Sequence, residues 1–189
     1  MNRFIQGVSN GRSHLVGMGL EITHLGSGSR GNATLLQTDA SKVLIDCGFS
    51  GRQMERRLDM IGVAPEDIDA IILSHHHSDH VQGAKIFSRR WGANIHANFA
   101  TCAHLGLDPV NQCRLFEALD RVQVTSDLAI LPVPVPHDDA ENVGFIIHGG
   151  GHSRAAVVTD LGEPTDELRR HLKGCEHISI EANYDAKKL

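Results

Sequence analysis

Five ligand-type side chains within six residues, four of them in one spaced pattern, constrain this chain more than any other feature. The stretch HHHSDH at 75–80 follows directly on the apolar run DAIILS at 69–74. A near-continuous apolar run of that length is the mark of a strand covered on both faces. The cluster therefore sits at the C-terminal end of a buried strand, where side chains from separate segments converge in front of a sheet. Its pattern is H-x-H-x-D-H. Alternate residues of an extended backbone point the same way, so His75 and His77 can grip one ion, while Asp79 and His80, a turn further on, reach a neighbouring one. Imidazole nitrogen and carboxylate oxygen suit Zn²⁺, Mn²⁺ or Fe²⁺, and the absence of cysteine from the set argues for an open catalytic site over a closed structural one. The plainer alternative is a surface histidine run in which Ser78 or Asp79 caps the following helix. Four spaced ligands after an apolar strand weigh against it.

Around this cluster the chain alternates short apolar runs with helical spacing. LEITHL at 20–25, ATLLQT at 33–38, KVLIDCG at 42–48, ANIHAN at 93–98, LAILPVPV at 128–135, NVGFIIH at 142–148, RAAVVTD at 154–160 and HISIEAN at 177–183 read as strands. Residues 51–61 place Met54, Leu58 and Ile61 at helical spacing before Gly62 and Pro65. Helices are also expected over 81–91, in one or two pieces within 98–120, and over about 164–173. This order predicts sheets stacked face to face and covered outside by helices, an α/β class. Residues 1–18 have mixed polarity and are expected to be a flexible lead-in, with one domain over 19–189. Aromatic residues are only 4% of the chain, so the core must rest on Ile, Leu, Val and Ala.

Composition narrows the partners and the compartment. No apolar run reaches the roughly 20 residues that cross a bilayer, and no h-region opens the chain, which points to a cytoplasmic protein without a membrane contact. Cys47, Cys102, Cys113 and Cys175 form no C-x-x-C pair, so they read as reduced, mostly buried residues. A formal charge of −5 offers no general attraction for nucleic acid, and a phosphate-bearing substrate would need local help. Further ligand candidates stand at other strand ends. His137 follows LPVPVP, and Asp160 closes RAAVVTD, where its carboxylate could bridge two ions. Taken singly, such a histidine is more often a packing residue and such an aspartate a turn former. The glycine-rich loop GSGSRGN at 26–32 has two readings, a phosphate cradle made by its backbone N–H groups with Ser27, Ser29 or Arg30, or a tight strand connection. Histidines 14, 24, 96, 104, 148, 152, 171 and 177 carry no motif and read as surface or packing residues.

Taken in order, LIDCG with Asp46, the H-x-H-x-D-H cluster, PHD with His137 and TDLG with Asp160 resemble the metallo-β-lactamase superfamily. LGSGSRGNATLL at 25–36, LIDCGFSG at 44–51, ILSHHHSDHVQG at 72–83, PHDDAENVGF at 136–145 and EANYD at 181–185 look most like its YycJ/VicX branch. The resemblance spans about residues 20–189. It implies an αββα sandwich with a metal site along one edge of the two sheets. By matching positions, His75, His77 and His137 would hold a first ion, Asp79 and His80 a second, and Asp160 would bridge them, while Asp46 would orient a ligand through hydrogen bonds. The family's usual final histidine, in a G-H-L-S-N-like segment, has no counterpart before Leu189, and Asn183-Tyr184-Asp185 stands at its N-H-D. The second ion is therefore expected to be one ligand short, and the domain to lack its last elements.

Two divalent ions side by side bring the pKa of a shared water towards 7 and polarise the scissile group, with Asp79 as the catalytic residue that orients the water or moves its proton. The branch resembles DNA exonucleases, so the expected substrate is a nucleic-acid phosphodiester. A thioester or lactone hydrolase of the glyoxalase kind and a non-catalytic domain with a degraded metal site are the alternatives. Cys47 is expected to be core, since a nucleophilic thiol would need a base that metal-bound histidines cannot provide.

Overall fold

In the computed structural model, residues 12–14, 19–138, 140–151 and 153–180 are described. EANYD at 181–185 and most of the expected lead-in lie outside them. The first sheet comprises β1 (Arg12–His14), β2 (Glu21–Gly26), β3 (Ala33–Gln37), β4 (Lys42–Ile45), β5 (Ala70–Ile72), β6 (Asn94–Ala97) and β7 (Arg114–Leu115). They lie side by side in chain order, β1 to β4 antiparallel and β4 to β7 parallel. The second sheet comprises β8 (Val122–Gln123), β9 (Leu128–Pro134), β10 (Val143–Gly149), β11 (Ser153–Val158) and β12 (His177–Ile180). Its order is β12-β11-β10-β9-β8, antiparallel except for β11 with β12. The helices are α1 (Gly51–Asp59), α2 (Ser78–Val81), α3 (Ala84–Trp91), α4 (Phe99–His104) and α5 (Asp166–Leu172).

Strand alternation sorts the apolar side chains into layers. Leu36, Val43, Ile45 and Ile72 of the first sheet meet Ile130, Phe145 and Ile147 of the second. Their neighbours Leu35, Leu44 and Ile71 face the other way, onto Met54 and Leu58 of α1 and Phe87 of α3. On the far side Val133, Ile146 and Val158 pack on Leu168 of α5. This is the αββα sandwich expected from the sequence.

Differences from the sequence reading are local. The helix expected over 81–91 is divided, because the Gly83 N–H donates to the Cys47 carbonyl at 2.8 Å and so links the second helix to the loop after β4. Residues 98–120 hold one helix, capped where Asn98 Oδ1 accepts from the Thr101 N–H at 2.8 Å, and then the short β7. Within the stretch expected as a lead-in, Arg12–His14 adds an edge strand to β2.

His96 on β6 is 1% exposed, and neither ring nitrogen has a hydrogen-bond partner among the described residues. Burial, with the charge of Arg114 behind it, pushes this imidazole down to about 4. Below pH 6.5 the unfolded chain therefore binds a proton that the folded chain refuses, so stability falls as pH drops from about 6.5 to about 4. At 1.36 kcal/mol per unit, His96 alone accounts for roughly 3 kcal/mol of that loss. Urea unfolding at pH 7 and pH 4.5 should show it, and a His96→Leu chain should lose correspondingly less on acidification.

Candidate metal centre

Strand direction brings the expected residues to one edge. β4 and β5 run parallel, and β9 and β11 run the same way on either side of β10, so the residues that follow each strand gather where the two sheets meet. The sheets touch there through the Val143 N–H, which donates to the Ser74 carbonyl at 3.3 Å. Asp46 follows β4, His75 and His77 follow β5, and Asp79 and His80 lie in α2, whose N-cap is His77 rather than Ser78 or Asp79. From the second sheet come His137, after β9, and Asp160, after β11. Their loops are tied together by the Gly162 N–H donating to the Pro136 carbonyl at 3.0 Å and by Asn142 Nδ2 donating to the Thr159 and Asp160 carbonyls.

Five of the six expected ligands come together, in the sets His75, His77, His137 and His75, His80, Asp160, whereas Asp79 stands outside both sets and approaches His80. His77 Nδ1 lies 3.0 Å from His75 Nε2 and 3.3 Å from His137 Nε2. An ion held tetrahedrally at 2.0–2.1 Å sets its ligand nitrogens about 3.3 Å apart, close to both of these distances, and all three nitrogens lie within 4.8 Å of one another. Asp160 Oδ2 stands 3.6 Å from His75 Nε2 and 3.7 Å from His137 Nε2. The same oxygen is 2.7 Å from His80 Nε2, which in turn is 3.7 Å from Asp79 Oδ2. The two donor sets share His75, and the Asp160 oxygen stands beside a nitrogen of each, His137 and His80. The residues present fit a divalent metal ion, by donor chemistry and by spacing.

The supports are built in behind them. Asp46 and Asp160 both adopt positive φ, 61° and 48°, which aspartate tolerates better than most residues. The Asp46 carboxylate accepts from the Ser74 N–H (2.8 Å), from Ser74 Oγ (2.9 and 3.0 Å) and from His80 Nδ1 (2.8 Å). With the Ser74 hydroxyl proton given to Asp46, Ser74 Oγ accepts from His75 Nδ1 at 3.0 Å. Both imidazoles thereby turn Nε2 towards Asp160.

Burial is the largest influence on His75, and with the neighbouring His80 it pushes this imidazole down to about 3. His75 is therefore a bare ligand at neutral pH. Burial also opposes charge on His80, yet the carboxylates of Asp46 and Asp160 outweigh it and raise the ring to about 10. The hydrogen bond from His80, above all, holds Asp160 below the usual carboxylate range. Two acids sharing one base in a buried place favour positive charge, and a cation held there would take the place of the Nε2 proton. Cys47 is pushed up to about 12 by burial and then by Asp46, which leaves it an unreactive thiol, as its expected place in the core requires.

Two polar residues of the site escaped the sequence reading. Ser74 is one, its position in DAIILS marked only as a strand end. The other is Asn32, in the loop whose Gly28 N–H it accepts at Oδ1 (2.7 Å). That bond turns its Nδ2 towards His80 Nε2 at 2.9 Å and Asp79 Oδ2 at 3.4 Å. A buried amide reaching across 47 residues leaves no trace in local periodicity. The His76 imidazole lies 5.4 Å from that of His77 and 4.8 Å from that of His104, between ring centroids.

Comparison with known proteins gives consistent matches. The family model of the metallo-beta-lactamase superfamily matches residues 26–166. The chain is 32% identical over 176 residues to an exodeoxyribonuclease YycJ of Bacillus anthracis, covering 91% of this chain and 66% of that protein. It is 32% identical over 178 residues to an exodeoxyribonuclease WalJ of Streptococcus pneumoniae serotype 2, covering 91% and 65%. The chain thus spans just under two thirds of the length of these relatives. The crystal structure of the metallo-beta-lactamase fold protein YhfI from Bacillus subtilis superposes with a TM-score of 0.68 at 16% identity, over 84% of this chain and 70% of that one. No helix among the described residues is long and apolar enough to cross a membrane.

Proposed function

Since the chain belongs to the metallo-beta-lactamase superfamily, we propose that it is a binuclear metal-dependent hydrolase that cleaves phosphodiester bonds of nucleic acid with an activated water. The observation that carries this reading is the single Asp160 oxygen that stands 3.6 Å from His75 Nε2 and 3.7 Å from His137 Nε2 on one side and 2.7 Å from His80 Nε2 on the other. When bound, two divalent ions, Zn²⁺, Mn²⁺ or Fe²⁺, supply the Lewis acidity that brings a water's pKa towards 7 and offset charge on a phosphoryl oxygen.

The chain's own residues do the rest. His75, His77 and His137 would hold the first ion and Asp79 and His80 the second, with Asp160 as the ligand that would serve both. Asp79, 29% exposed at its side chain, is the carboxylate that would orient the water and take its proton. Asn32 steadies it from behind. Asp46 and Ser74 keep His80 and His75 in the tautomers that ligation needs. The substrate class is supported by the two relatives named as exodeoxyribonucleases. A cytoplasmic location fits four cysteines that form no disulfide.

The test is direct. Metal-stripped chain given Mn²⁺ is expected to release the chromophore of bis-p-nitrophenyl phosphate and to shorten a labelled single-stranded DNA. Cleavage of a lactoyl thioester with neither of those activities would replace this reading by that of a small-molecule thioester hydrolase.

A further inference from the structure

A cavity of about 560 Å³ opens between residues 26–31 and the start of α1, lined by the glycine-rich backbone and by Ser27, Ser29, Arg30, Phe49, Gln53 and Arg57. Every lining residue is neutral or cationic, in a chain whose formal charge is −5. The construction is specific. Phe49 is buried beneath the loop, and a Cβ on Gly26 or Gly31 would fall 2.5 or 2.6 Å from its ring, so only glycine lets the backbone lie on that floor. Arg57 covers the same ring, its guanidinium carbon 3.8 Å from the centroid, and one Nη donates to the Leu25 carbonyl. Gln53 precedes Arg57 by one helical turn and presents the same face of α1 to the cavity. The N-terminus of this nine-residue helix adds a favourable potential for an anion.

The cavity also adjoins the chemistry. Asn32 follows Gly31 directly, bonds back to the Gly28 N–H, and puts its amide beside Asp79 and His80. Gly31 is thus one residue, about 4 Å of chain, from a side chain that touches two metal-ligand candidates.

We propose that this cavity is an anion subsite that receives a phosphate of the nucleic-acid strand neighbouring the one being cleaved. It resolves the two sequence readings of the glycine-rich loop in favour of the cradle, and it supplies the local help that an acidic chain needs to hold a polyanion. The proposal rests on the phosphodiesterase reading. Its test therefore compares an oligonucleotide with bis-p-nitrophenyl phosphate, a diester with no neighbouring phosphate.

The full chain and two variants would be assayed on both substrates with Mn²⁺. A labelled single-stranded oligonucleotide would also be titrated against the metal-free proteins in EDTA and followed by fluorescence anisotropy. Arg57→Gln removes a charge; Ser29→Glu adds a repulsive one at an exposed position, which keeps the question answerable if Arg57 proves necessary for folding. The ratio of oligonucleotide to bis-p-nitrophenyl phosphate turnover is expected to fall about ten- to hundredfold, the worth of one charge-assisted hydrogen bond. Binding in EDTA should weaken alongside, with a shallower salt dependence for Arg57→Gln. An unchanged ratio and unchanged binding in both variants, with hydrolysis intact, would overturn the subsite and leave the phosphodiesterase reading standing. Equal losses on both substrates would also overturn it, marking the loop as a support for the metal centre. Oligonucleotide binding that the variants weaken, in a chain that hydrolyses neither substrate, would uphold the subsite while removing the proposed reaction.

Discussion

A His77→Ala chain is expected to lose hydrolysis by at least about a thousandfold, because Lewis-acid stabilisation contributes several kcal/mol to the transition state and each 1.36 kcal/mol is a factor of ten. His77 is the sharpest choice among the ligand candidates. Its Nδ1 is the nitrogen that both His75 and His137 face, so its removal opens the first donor set from the middle. It is also half-buried, so its truncation leaves little void in the core. Metal content and turnover should fall together while the circular dichroism spectrum holds. Retained metal and retained activity would mean that the convergence of these nitrogens is incidental.

Gly48→Ala is expected to be as damaging to function through a wholly different route. A Cβ on Gly48 would stand 1.6 Å from the Asp79 carbonyl oxygen and 2.7 Å from the Asn32 nitrogen, both backbone atoms that cannot rotate aside. Those atoms are bonded to each other, the Asn32 N–H donating to the Asp79 carbonyl at 2.7 Å, and Gly48 N–H donates to the Asn32 carbonyl at 2.9 Å. One methyl therefore pushes apart the loop after β4, the end of the glycine-rich loop and the turn that carries Asp79 and His80. Overpacking of this kind costs about 3 kcal/mol, which in a chain of this size lowers the melting temperature by roughly 6–12 °C. Activity should be lost before the fold is. Gly51→Ala is the control, since its methyl would meet only Ile86 Cγ2 at an ordinary 3.6 Å. Similar melting temperatures for the two variants would contradict the clash.

What the sequence makes legible follows from how local each signal is. His75, His77, Asp79 and His80 announce themselves because four ligands share one strand end, and β5 is apolar enough to be read as buried. His137 and Asp160 are legible only as residues that close strands. Nothing local says that β9 and β11 run the same way and deliver them to one edge. Asn32, Ser74 and Gly48 stay hidden because their roles exist only across the fold, in a hydrogen bond to a residue 47 positions away, a carboxylate at the end of another strand and a carbonyl pressed against a missing side chain. The strands β1, β7 and β8 are two or three residues long, too short for alternation to register. The break at Gly83 is set by a tertiary bond to Cys47 rather than by helix propensity.

The seam between the two sheets has a mechanical meaning. His75, His77, Asp79 and His80 hang from one sheet, and His137 and Asp160 from the other, so a cation shared across the seam would be a rivet through both plates. Its grip adds to the cohesion of the folded form in proportion to the logarithm of its concentration over its dissociation constant. Sliding one plate by a fraction of an ångström would be felt at the rivet long before the apolar filling between the plates gave way.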